Sequence, residues 1–156
     1  MLNVNHFREY IIRPTLDYLG LDADRQKAKA AENLLVGTAA QESRLTYLHQ
    51  IGGPALGIYQ IEMPTYNSII NDYLRYKENL HAKVDRLSSA MGNPEKELIG
   101  NLFYATAIAR LIYYRHSDPL PAPDDIWGLA NMYKKIFNTS KGAAKVEDFY
   151  MNYPDK

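Results

Sequence analysis

A carboxylate stands where a helix would bury it. Ala28, Ala31, Leu35, Ala39 and Glu42 follow one another at spacings of 3, 4, 4 and 3, the rhythm of a single helix face. Seven helical residues turn the chain by about 700°, so Glu42 falls nearly in line with Leu35. Partial burial favours the neutral form of a carboxylic acid and keeps its proton available near neutral pH, which is what a general acid needs. Two readings of Glu42 stay open on helix geometry alone: that acid, or a helix-end residue that turns to solvent or pairs with Arg44.

A second group lies just downstream. Gly57-Ile58-Tyr59-Gln60-Ile61 begins fourteen residues after Ser43 and is followed by Pro64-Thr65. Gly57 permits a positive φ or a close backbone approach, and the Gln60 amide offers both a donor and an acceptor to a hydroxyl or acetamido group. Tyr59 supplies an aromatic face on which a pyranose ring can lie, the alternative being ordinary loop packing. Ser43 has two roles open to it: a bond to Glu42 or to substrate, or closure of the helix end.

Gln41-Glu42-Ser43-Arg44, then Gly57-Ile58-Tyr59-Gln60-Ile61 and Pro64-Thr65, resemble the lytic transglycosylase branch of the lysozyme-like superfamily over about 25 residues. In that family a catalytic glutamate is followed by serine at a helix end. A Gly-Leu-Met-Gln-Ile type segment with a proline and a threonine comes after it. Ile58 and Tyr59 stand here where leucine and methionine are usual. The family's third motif, an Ala-Tyr-Asn-Ala-Gly stretch, aligns with Phe137-Asn138-Thr139 and Gly142, with phenylalanine in place of tyrosine and Ser140 in place of glycine. Tyr133, one turn earlier on the same face, is placed to reach a cleft instead, or to lie in the core. Asn138 reads as a cleft residue or, more simply, as a helix C-terminal residue in the left-handed region.

The resemblance implies a lysozyme-like catalytic domain over residues 1–156 that cleaves the β-1,4 bond between N-acetylmuramic acid and N-acetylglucosamine. Glu42 would act as acid and then base, leaving 1,6-anhydro ends, with Ser43, Gly57, Tyr59, Gln60, Tyr133 and Asn138 as substrate residues. Peptidoglycan glycan strands are the implied partner, with virion proteins or a holin for delivery, and a bacteriophage enzyme is the implied type. Glu62 and Asp72 are the nearest acids able to serve as a second carboxylate, so a hydrolytic muramidase is the runner-up. A lysozyme-like virion or wall-binding module without activity is the alternative from another class.

The elements that must position these residues read as mainly α, six to seven helices around a central apolar one. A helix over Val4 to Leu19 is bent or restarted by Pro14, and Asp22 or Asp24 caps the helix that ends at Glu42. Ile58 to Ile61 suggests a short extended segment, and Pro64 the first residue of a helix with Ile69, Ile70, Tyr73 and Leu74. Leu80, Val84 and Leu87 mark one buried face before Met91-Gly92. Asn93 and Pro94 then open a helix to about Arg115 whose middle, LFYATAIARLIYY, is apolar nearly all round and reads as the core helix. After the proline-rich connector 117–123, Asp124 or Asp125 starts a helix with Ile126, Leu129, Tyr133 and Ile136 or Phe137 inward, and a tail helix spans Ala143 to Tyr150.

Composition narrows the field. Eighteen Lys+Arg against eighteen Asp+Glu give no basic excess for a nucleic-acid partner, and the absence of cysteine removes thiolate nucleophiles, disulfides and thiolate metal sites. His6, His49, His81 and His116 show no metal-ligand spacing, so no metal or cofactor is expected. No Gly-x-Ser-x-Gly elbow or P-loop is present. No apolar run nears the roughly 20 residues of a membrane span, and MLNVNHFREY lacks a signal-peptide core, so the expectation is synthesis in the cytoplasm and action on the wall after release or with a virion. Lys134, Lys135, Lys141 and Lys145 make the C-terminal third locally basic, which would help against anionic wall polymers or, more simply, is a solvated face.

Overall fold

The structure, a computed structural model, describes residues 1–89 and 91–155. Among these the chain is mainly helical, and the extended pairing consists of isolated bridges, His49 with Leu56 and Leu56 with Ile61. Helix α1 (residues 4–19) starts at Asn3, whose Oδ1 accepts from the His6 N–H at 3.0 Å. Its turns widen to π geometry over Arg8–Ile12, and α-helical turns restart at Arg13–Leu19 with Pro14 second. A proline has no N–H to give and crowds the carbonyl four residues back, and a widened turn just ahead of it relieves both problems. Phe7, Ile12, Leu16 and Leu19 face the core.

Helix α2 (Arg25–Ser43) is capped by Asp24, which accepts from the Lys27 N–H at 2.8 Å. Asp22 does other work: its carboxylate grips the Arg110 guanidinium at 2.6 and 3.2 Å. Every residue of α2 from Ala30 to Ala40 is buried, which is more than the single stripe expected. Gly37 explains part of this, because a Cβ there would overlap the ring of Phe149.

Helix α3 (residues 63–76) begins at Met63 with Pro64 second, widens over Ile69–Tyr73 and tightens over Leu74–Tyr76. Helix α4 (Glu78–Leu87) buries Val84, with Leu80 and Leu87 partly covered. The long helix expected over 94–115 is two helices, α5 (Pro94–Gly100) and α6 (Leu102–Tyr114). Asn101 breaks it: its backbone is extended and its Oδ1 accepts from the Tyr104 N–H at 3.1 Å, so it caps α6. This break takes the described helices to eight, α7 (residues 126–138) and α8 (Val146–Asn152) completing them.

The residues Tyr104 to Tyr113 of α6 are buried without interruption, as a central helix requires. It shares that place with α2: the two pack together, and Thr38 and Tyr113 join their hydroxyls at 2.7 Å. The other helices cover this pair in one continuous apolar core.

Candidate active site

Helix α2 ends because Arg44 and Leu45 adopt left-handed backbone, at φ 53° and 54°. Glu42 therefore sits on its last turn, partly buried, at the edge of a cleft of about 580 Å³. Tyr133 of α7 donates its hydroxyl to Glu42 Oε1 at 2.6 Å. Burial raises the Glu42 carboxyl to about 7, the Tyr133 bond opposes the rise, and the negative charge of Glu62 adds to it. Burial first, and then the Glu42 charge, push the Tyr133 hydroxyl far above its ordinary range, so it remains a donor. Of the two readings open for Glu42, neither bulk solvent nor Arg44 takes it.

Gln60 joins Glu42 and Tyr133 in the lining. It occupies left-handed backbone at φ 50°, and its Nε2 donates to the Gly57 carbonyl at 2.8 Å, which locks the turn. Gly57 works from behind. Its φ is 75°, and a Cβ would run into the Leu98 carbonyl of α5, so both of the reasons for a glycine apply at once.

Tyr59 is not a sugar platform. It is fully buried, its hydroxyl meets Thr106 Oγ1 at 3.0 Å, and its ring lies 6.1 Å from that of Phe7. The segment 58–61 is a turn closed by the reciprocal bonds of Leu56 and Ile61, at 3.0 and 2.9 Å, not an extended strand, and the turn drives Tyr59 into the core. Ser43 closes the helix end, its Oγ donating to the Ala39 carbonyl at 3.1 Å.

Asn138 lines the cleft at the end of the widened turn Tyr133–Asn138 and accepts from Lys134 Nζ at 2.7 Å. The left-handed helical residue expected at Asn138 is not found there: the chain leaves the helix at Thr139, which combines φ 66° with an extended ψ of 173°. Lys134 is not solvated either, since its ammonium also donates to the Gly142 carbonyl at 2.9 Å; Lys135 is exposed and pairs with Asp118 at 2.6 Å. Phe137 lines the cleft without a hydroxyl, stacked between Tyr113 and Tyr133 at centroid distances of 5.5 and 6.1 Å. The tyrosine hydroxyl at Glu42 comes from Tyr133, one turn before Phe137.

Several further residues line the cleft that were not among the expected site residues, although all but Gln50 lie in the quoted motifs or in the basic stretch. Gln41 adjoins Glu42 and accepts from Asn152 of α8 at 2.7 Å, while Gln50 folds its loop by accepting from the Ala55 N–H at 3.1 Å. Thr65, Thr139 and Lys141 also line it. Of the acids considered as a second carboxylate, Glu62 lines the cleft and Asp72 is exposed outside it. Among the described residues no group of His, Asp or Glu is arranged to hold a metal, and no helix is long and apolar enough to cross a membrane.

The arrangement offers a neutral carboxylic acid, a permanent donor on it, an amide and an open trough, which together suit proton transfer to a bound polar chain. No family model, curated protein or solved structure matches this chain.

Proposed function

We propose that this cleft cleaves peptidoglycan glycan strands as a lytic transglycosylase on a lysozyme-like fold, with Glu42 as acid and then base. The observation that carries the proposal is a glutamate at a cleft edge whose carboxyl keeps its proton up to about pH 7. In the first step Glu42 gives that proton to the bridging oxygen as the bond from the N-acetylmuramic acid anomeric carbon breaks, and the sugar's own acetamido oxygen supports that carbon. In the second, the muramyl 6-hydroxyl oxygen bonds to the anomeric carbon and passes its proton to Glu42, which restores the acid and leaves a 1,6-anhydro end. Tyr133 orients the carboxyl through both steps, and Gln60 and Asn138 offer amides to the acetamido and hydroxyl groups of the chain.

One observation favours hydrolysis as the second reading. Glu62 lines the same cleft and its charge bears on Glu42, which is the pairing a water-activating carboxylate needs. Mass spectrometry of purified peptidoglycan after incubation separates the readings. Anhydro ends are expected; new reducing ends assign the hydrolase; an intact polymer overturns both. Delivery to the wall on release at lysis or with a virion belongs to the same proposal.

A further inference from the structure

The charges that line the cleft come from different elements. Glu42 and Glu62 belong to the end of α2 and to the turn after Gly57, whereas Lys141, the one cation among the described lining residues, belongs to the loop between α7 and α8. Lys141 is exposed, and its ammonium has no hydrogen-bond or ion-pair partner among the described residues. The turn that presents it is firmly held: Gly142 N–H donates to the Thr139 carbonyl at 3.2 Å, and Lys134 clamps both Asn138 and Gly142. Lys141 thus enters the cleft from a different element than the one that carries Glu42.

We propose that Lys141 reads a carboxylate carried on the glycan and so sets the substrate class of the cleft; this rests on the glycan-cleaving reading above. Pyranose hydroxyls and acetamido groups are met by amides and hydroxyls, which Gln60, Asn138 and Thr139 already offer. An ammonium held in a polar trough finds its best partner in an anion. On a muramyl glycan that anion is a carboxylate from one of two sources: the lactyl ether where the stem peptide is absent, or the peptide where it is present.

The test is a titration of the Glu42→Gln protein, which binds without turnover, against three ligands. These are chitotetraose, which is neutral, a peptide-free tetrasaccharide of alternating N-acetylglucosamine and N-acetylmuramic acid, and the same tetrasaccharide carrying stem peptides. Adding Lys141→Met is expected to lower affinity for a charged ligand relative to chitotetraose by about fivefold, the scale of an exposed ion pair. Salt at 0.5 M should abolish the difference and Lys141→Arg should restore it. A fall on the peptide-free ligand assigns the lactyl carboxylate, and a fall on the peptide-bearing one alone assigns the peptide. Unchanged ratios for both charged ligands overturn the role of Lys141 and leave the glycan cleft standing. If none of the three ligands binds any form of the protein, both proposals fall.

Discussion

Helix α2 carries two glutamates whose carboxyl groups leave bulk water, Glu32 near its middle and Glu42 on its last turn, and their surroundings treat them in opposite ways. Glu32 is only 4% exposed. Burial alone would push its carboxyl up, yet bonds from Arg13 at 2.8 and 3.1 Å, Lys29 at 3.1 Å and Arg8 at 3.0 Å pull it below the ordinary carboxylate value. At Glu42 a single neutral hydroxyl serves the carboxyl and the charge that reaches it is another carboxylate, so burial wins and the proton stays. Between two carboxyls that have both left water, the charge of the neighbours separates the one that ionises from the one that keeps its proton. The middle of α2 is thereby an ionic anchor and its last turn a proton donor.

The largest expected effect is at Glu42. The Glu42→Gln substitution keeps the size of the side chain and an oxygen for Tyr133, and it should cut turnover of peptidoglycan by about a hundredfold or more, since general acid catalysis contributes roughly 10² to 10⁴. Circular dichroism should show an unchanged fold. Wild-type rates in that variant would remove the contrast between the two glutamates.

Glu32→Gln should do the reverse. It leaves the buried Arg8 short of its main counter-charge, a loss of about 3 kcal/mol of stability by urea titration, with turnover per folded molecule intact. The pH dependence should separate the two as well. Glu42 holds its proton in the folded chain up to about 7 but only to about 4.5 when unfolded, so its contribution is complete below 4.5 and lost as pH rises through 7. The Glu42→Gln variant should therefore gain melting temperature on the wild type between pH 4.5 and 7. Glu32 contributes stability above its unfolded value of 4.5 that disappears as pH falls through its lowered folded value.

Tyr133→Phe sharpens the comparison further. It removes the one bond that favours ionised Glu42, so the alkaline limb of the kcat/KM profile should move upward by about one pH unit. A downward shift would mean that the hydroxyl favours the neutral acid. The smallest effect belongs to Tyr59→Phe, which leaves Thr106 without its partner: about 1 kcal/mol of stability by thermal melting, and no change in kcat or KM.

What was legible in the sequence followed periodic or capping signals. Asp24, Asn93 and Asp125 cap as their residue types suggest, and the spacing from Ala28 to Glu42 places the carboxyl correctly. Tyr59 was not legible, because a turn built on two positive-φ residues has no period from which to read inside and outside. The division at Asn101 was masked by the apolar run after it, although Gly100-Asn101 carries a turn signal. The wall from Phe137 to Ala144 is assembled by Lys134 reaching forward to Asn138 and Gly142, a lysine that composition alone assigns to solvent.

The widened turn of α7 fixes something beyond which side chains line the trough. In ordinary α geometry Asn138 would lie about 140° around the axis from Tyr133, while an i to i+5 turn returns it to nearly the same side, where both meet the cleft. Deleting one residue of 133–138 would close the widened turn to the normal pitch and leave the chain after it facing nearly the same way, since four α-helical residues turn about 400°. Phe149 would keep its seat against Gly37. The widened turn is thus one extra residue taken up without moving α8, and what its removal would cost is a side chain on the trough wall.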